Sequence, residues 1–154
     1  MKIVLFQPEI PQNTGNIVRT CALTKADLVL VRPLGFSTSS RMLKRSGLDY
    51  WSSANIEFID DLSEYLRSSS LPFYFFSKKA SKNYASISYS QNALLIFGSE
   101  TQGLPTWAWN LWPDHFYNIP CAPIARSDDS GCLNLSNAVS IVLYEALRQQ
   151  GFPL

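Results

Sequence analysis

The residues best equipped for chemistry fall in three separated stretches of the 154-residue chain. In the first, the amide-rich run Gln7-Pro8-Glu9-Ile10-Pro11-Gln12-Asn13-Thr14-Gly15-Asn16 leads into Ile17-Val18-Arg19-Thr20. Asn13 or Thr14 is a natural helix cap, and the N–H groups of that first turn suit an anion such as a phosphate. Arg19, one turn on and beside Ile17, Val18, Cys21 and Ala22, either packs its stem and solvates its head or presents its guanidinium to substrate. The second stretch is Leu94 to Leu104. Gly98, ending a very apolar strand, allows a flat ligand to approach the backbone, while Glu100 is either a ligand contact or a carboxylate favouring the helix to come. The third is the loop from Cys121 to Cys132, whose polar run Arg126-Ser127-Asp128-Asp129-Ser130-Gly131 has the turn-prone character of a functional loop.

Other reagents are scarce. His115 is the only histidine, so histidine-based triads and most metal chemistry lack their usual group, and no metal site is expected. Cys21, Cys121 and Cys132 are odd in number and contain no C-x-x-C pair, which argues against a disulfide framework or a zinc site and fits a reducing, cytoplasmic setting. The glycines fit neither G-x-G-x-x-G nor G-K-[ST], so the common dinucleotide and triphosphate cradles are unsupported. Net charge is only +1, but Arg32, Arg41, Lys44 and Arg45 form one basic cluster and Lys78, Lys79 and Lys82 another, both suited to phosphate backbone. Tyr50, Trp51 and Tyr84 are placed to stack on bases, whereas Trp107, Trp109 and Trp112 read as core or subunit-interface aromatics.

The elements that must position these residues alternate. Apolar runs at Lys2–Phe6, Leu28–Val31, Ile56–Ile59, Phe73–Phe76, Ala93–Phe97 and Phe116–Ile119 predict strands. Helical patterns cover Asn13–Lys25, Arg41–Leu48, Asp61–Arg67 and Pro105–Leu111, and a last helix runs from Leu135 to near Gln150 with Leu135, Ala138, Val139, Val142, Leu143, Ala146 and Leu147 on one face. Together these predict an α/β fold in one domain, residues 1–154, with a mainly parallel sheet covered by helices on both faces. Ligands of such sheets sit beyond the carboxyl ends of the strands. The N-terminus is too short in apolar residues for a signal peptide, and no stretch approaches membrane-spanning length.

Taken together, N-T-G-N-I-V-R-T at Asn13 to Thr20, F-G-S-E-T-Q-G-L at Phe97 to Leu104, and I-P, R-S and L-N-L-S-N-A-V between Ile119 and Val139 resemble the three motifs of the SPOUT methyltransferases. The likeness is closest to the small single-domain branch of tRNA (cytidine/uridine-2′-O-)-methyltransferases, which modify the anticodon wobble nucleotide. Gly35-Phe36, Leu43 to Trp51 and Tyr144 to Gly151 also look like that branch, so the resemblance spans nearly the whole chain. It implies a C-terminal trefoil knot, bent S-adenosyl-L-methionine held within it, and a homodimer acting on the anticodon stem-loop of tRNA. By position it implies a cofactor pocket of Phe76, Gly98, Glu100, Ile119, Ser127 and Leu133, with Arg19, Arg126 and Tyr144 in catalysis and substrate handling. One departure stands out: Asp128-Asp129-Ser130-Gly131-Cys132 intervenes between R-S and the asparagine-rich run, so Cys132 is an alternative to Ser127.

Two other readings stay open on the residues themselves. One is a homodimeric α/β module that holds RNA or a nucleotide without turnover, its cofactor site disabled by the acidic insertion. The other is a nucleotide-dependent enzyme using the helix end at Asn13 as its phosphate site.

Overall fold

The structure is a computed structural model that describes residues 1–38, 50–122 and 131–153. Seven strands form one sheet: β1 (Lys2–Phe6), β2 (Asp27–Val31), β3 (Ile56–Ile59), β4 (Phe73–Phe76), β5 (Lys82–Asn83), β6 (Leu94–Phe97) and β7 (Phe116–Asn118). Their order across the sheet is β3-β2-β1-β6-β4-β7-β5, and every pair is parallel. Both faces must therefore be covered, which explains why β1, β2 and β6 are nearly unbroken runs of Val, Leu and Ile.

Side chains alternate between the two faces. Ile3, Leu5, Leu28, Leu30, Leu95 and Phe97 point toward helices α1 (Pro11–Thr24) and α4 (Leu135–Gln149), meeting Ile17, Val18, Cys21, Val139, Val142 and Leu143. Val4, Val29, Val31, Phe75, Leu94 and Ile96 point the other way, toward α2 (Leu62–Ser68) and α3 (Thr106–Leu111). Each fully buried aliphatic side chain contributes roughly 1.5–3 kcal/mol, so a one-residue slip of a central strand is strongly disfavoured. Burial also pushes the Cys21 thiol up to about 12, so it is packing material and not a nucleophile.

The aromatics of the second face pack as expected. Trp109 stacks on Phe116 with centroids 3.5 Å apart, and Trp112 meets Phe73 and Phe75. His115 Nδ1 lies 3.0 Å from the Phe73 carbonyl and its ring stacks on Phe73, at the amino end of β4 and away from the strand's carboxyl end.

The end of α4 clamps the segment before β6. Gln149 accepts from the Tyr89 N–H and donates to the Ile87 carbonyl, and Gln150 donates to the Tyr89 carbonyl. Arg148 and, after it, Gln149 donate to Glu145, and these bonds hold its carboxyl down at about 2. Because this pKa is depressed on folding, its stabilisation is complete above the ordinary carboxylate value and is lost as pH falls toward 2. A thermal melt series from pH 5 to pH 2 is expected to fall less steeply for Glu145→Gln than for the unaltered chain.

Several bounds differ from the sequence pattern. Helix α1 starts at Pro11, with Ile10 as its N-cap, and not at Asn13 or Thr14. Proline fits the first helical position because no intrahelical bond is lost there. The edge strand β5 has no apolar signature at all. The expected helix at Arg41–Leu48 lies outside the described residues.

Candidate active site

The sheet order sets β1, β6, β4 and β7 side by side, so the loops leaving their carboxyl ends are neighbours. These are the loops that the first two stretches and the Ile119 segment occupy. The Ser77 N–H bonds to the Tyr117 carbonyl at 2.9 Å, tying the loop after β4 to β7. Phe76 and Phe97 close the strand ends as a stacked pair with centroids 4.9 Å apart.

Gly98 is required by the loop that follows it. A Cβ there would lie 2.1 Å from the Gly103 carbonyl carbon and 2.4 Å from the Leu104 nitrogen, so it is the loop's own backbone that makes the close approach. Ser99 and Gly103 exchange two backbone bonds, of 3.2 and 3.0 Å, and Ser99 Oγ accepts from the Gln102 N–H. The result is a tight, preformed turn, with Gly103 in the left-handed region at φ 70°.

Glu100 joins the stretches. Its carboxylate accepts from the Glu9 N–H at 2.8 Å, the Ile10 N–H at 3.2 Å and Asn13 Nδ2 at 2.9 Å. In return Thr101 donates its N–H and its hydroxyl to the Glu9 carboxylate at 2.9 and 2.7 Å. Asn134 Nδ2 donates to Asn13 Oδ1 at 2.8 Å, and Asn134 Oδ1, the cap of α4, accepts from Ser136. A carboxylate only accepts, which forces Asn13 to turn its NH₂ toward Glu100 and its oxygen toward Asn134. Residues 9, 13, 100 and 134, distant in sequence, thus form one hydrogen-bonded chain.

Two expectations change accordingly. An internal carboxylate occupies the start of α1, where an anion such as phosphate was expected, and Glu100 serves that helix and not the one that follows it. Glu100→Gln would aim an NH₂ group at donors and is expected to cost about 2–3 kcal/mol, read as a lowered urea midpoint.

Arg19 is exposed on α1, its guanidinium 4.9 Å above the Tyr50 ring, and no carboxylate among the described residues pairs with it. Tyr50 is half-buried and thereby engaged with Arg19 within the chain. Tyr144 is 47% exposed on α4, its ring 6.4 Å from Phe152. Helices α1 and α4 pack together. Ile119 and Leu133 are half-buried, while Gly131 and Cys132 precede Leu133. Arg126 and Ser127 lie outside the described residues, as do Arg41, Lys44 and Arg45. The basic clusters are partly spent: Arg32 pairs with Asp60 and covers Phe58, and Lys82 pairs with Asp114 and approaches Tyr117.

Of the residues expected to hold the cofactor, Phe76 is buried, and Gly98, Ile119 and Leu133 are half-buried; all four are apolar and uncharged. Among the described residues no group of three or more His, Cys, Asp or Glu side chains is placed to hold a metal.

An all-parallel α/β sheet whose carboxyl-end loops are laced together in this way fits the SpoU rRNA Methylase family, whose sequence profile matches residues 1–144; the chain belongs to that family. A Yersinia pestis relative named tRNA (cytidine(34)-2′-O)-methyltransferase is 42% identical over 160 residues, covering 99% of this chain and 96% of its own. A solved structure described under the 2-OH methylation of C/U34 on tRNA superposes with a TM-score of 0.86 at 38% identity, covering 97% of this chain and 95% of that one. An rRNA methyltransferase from Sinorhizobium meliloti, crystallised with AdoMet bound, is 27% identical with a TM-score of 0.79, covering 96% of this chain and 55% of that one.

Proposed function

We propose that this protein transfers the methyl group of S-adenosyl-L-methionine to the ribose 2′-hydroxyl of the wobble nucleotide, cytidine or a modified uridine at position 34, in a tRNA anticodon. One observation carries this reading: Glu9, Asn13, Glu100 and Asn134 lace the chemistry-bearing stretches together at one end of the sheet. They do so in a chain whose full-length relative bears the name of that activity.

In this reading Phe76, Gly98, Ile119 and Leu133, with Ser127, hold the cofactor, and the final segment is threaded as a trefoil knot. Glu100 supports the pocket from outside by fixing the loops. Bound there, S-adenosylmethionine supplies a methyl group that is already electrophilic. The protein's task is then to align a weak hydroxyl nucleophile, a contribution worth about 7–11 kcal/mol in well-oriented systems. A guanidinium carries donors and no acceptor, so Arg19 is no base. It holds the ribose or an adjacent phosphate and offsets the charge growing on the 2′-oxygen, while phosphate or water takes the proton. Arg126 and Tyr144 complete the grip on substrate.

Arg19 sits six residues beyond Asn13, about 9 Å along the helix axis from where Glu100 and Asn134 meet α1. That separation leaves room for a second copy to present its arginine to the pocket, in keeping with a homodimer whose sites are shared. A single cytoplasmic domain, 1–154, completes the reading. No helix among the described residues is long and apolar enough to cross a membrane.

Calorimetry with the donor, together with radiolabelled methyl transfer to bulk tRNA, tests this. Donor binding with label in tRNA supports it. RNA binding without donor binding or transfer would instead identify a non-catalytic RNA-binding module.

A further inference from the structure

Between the loops after β4 and β6 and the outer side of α3 lies a cleft of about 300 Å³, lined by Lys79, Gln102, Leu104, Thr106 and Trp109. None of these residues belongs to the proposed cofactor set or to the Glu100 chain. Lys79 follows Phe76 by three residues and Gln102 follows Gly98 by four, so the cleft flanks the site on the second face of the sheet.

Its polar groups are unspent. Among the described residues no carboxylate pairs with Lys79, whereas Lys2 and Lys82 are paired with Glu57 and Asp114. The Gln102 carboxamide and the Thr106 hydroxyl likewise have no hydrogen-bond partner among the described residues. Phe116 stacks on Trp109 at an interplanar angle of 17°, which holds the half-buried indole fixed as a wall of the cleft. No acidic residue lines it, and Leu104 is its only aliphatic one.

A fixed aromatic surface, a carboxamide able both to donate and to accept, a hydroxyl and an unpaired ammonium are the groups that recognise one splayed base with its phosphate. The volume is at the lower end for ligand sites, and the cleft offers a single aromatic surface and a single ammonium. We propose that this cleft seats a single unstacked nucleotide of the RNA substrate, next to the one methylated, with its base against Trp109 and edge contacts from Gln102 and Thr106, and with Lys79 on its phosphate. The inference rests on the RNA-methyltransferase reading and adds to it a subsite that selects the neighbouring nucleotide.

The test uses the full chain with Lys79→Ala, Gln102→Ala and their double variant, all at exposed positions, and Trp109→Phe, which keeps a ring on Phe116. An anticodon stem-loop is titrated at several salt concentrations, donor affinity is measured by calorimetry, and KM and kcat are determined for tRNA. The double variant is expected to weaken stem-loop binding at least tenfold and to raise KM for tRNA, with donor affinity unchanged. Lys79→Ala alone should flatten the log–log salt dependence by about 0.7, the share of one phosphate contact on a single strand. Trp109→Phe should weaken binding at unchanged salt slope.

Unchanged stem-loop affinity and slope would overturn the proposal. So would a matching loss of donor affinity, which would make the cleft part of the cofactor site. Cytidine monophosphate binding as tightly as the stem-loop would also overturn it, because the site would then serve a free nucleotide. If the unaltered chain binds donor but neither binds nor methylates tRNA, the parent reading fails and this inference goes with it.

Discussion

Gly98→Ala is expected to destabilise the protein by about 3 kcal/mol or more and to remove donor binding with it. The added methyl carbon would sit 2.1 Å from one backbone atom and 2.4 Å from the next, and neither belongs to a flexible side chain that could swing aside. Relief requires the Ser99–Gly103 turn to open, breaking its two mutual backbone bonds and shifting Glu100 and Thr101 from their partners at Glu9, Ile10 and Asn13. Strain at one atom therefore spreads to the start of α1 and, through Asn13, to the cap of α4. For a domain of this size the melting temperature should drop by about 6–12 °C. Gly103→Ala is the control: nothing lies within 4 Å of the point its methyl carbon would occupy, so only the left-handed backbone cost of about 1–2 kcal/mol applies. Equal effects at the two glycines, measured by melting and donor calorimetry, would show that the close approach at Gly98 does not govern the turn.

Arg19→Ala is expected to act in the opposite way, with little effect on the fold and a large one on turnover. Its side chain is exposed, and its contact with Tyr50 contributes only about 0.5–1 kcal/mol. A preorganised donor aimed at developing oxyanion charge is worth about 100–1000-fold in kcat. Single-turnover methyl transfer should fall by that factor while donor affinity stays within about twofold. Arg19→Lys should recover only part of the loss, because an ammonium lacks the planar fork. Near-full transfer by Arg19→Ala would remove Arg19 from the mechanism. Mixing Arg19→Ala chains with chains disabled at Gly98 tests the shared-site arrangement: mixed dimers should recover activity if one copy's arginine serves the other copy's pocket.

The sheet is legible in the sequence because parallel strands buried on both faces must be apolar at consecutive positions, and Val4, Leu28 to Val31 and Leu94 to Phe97 are. Strand β5 is not, because Lys82 and Asn83 form an edge strand that borrows its bonds from β7 and buries nothing. The pattern misplaces the start of α1 since Asn13 has the right type for a cap. The carboxylate that serves the start of the helix comes from Glu100, 87 residues away from Asn13, and no local pattern records such a contact. Gly98 stands out in the sequence, yet its reason is invisible until Gly103 is seen to fold back over it. Asn134 reads in one dimension only as part of a run; its partnership with Asn13, 121 residues away, is visible only in three. The Lys79–Trp109 cleft is divided in the sequence between a basic cluster and a set of core aromatics.

Nucleoside mass spectrometry of tRNA treated with the purified protein and labelled donor tests the central claim most directly. The expected result is a single new ribose-methylated nucleoside, 2′-O-methylcytidine or its modified-uridine counterpart, mapped to position 34. Label found on a base, at another position, or nowhere in a preparation that binds the donor would contradict it.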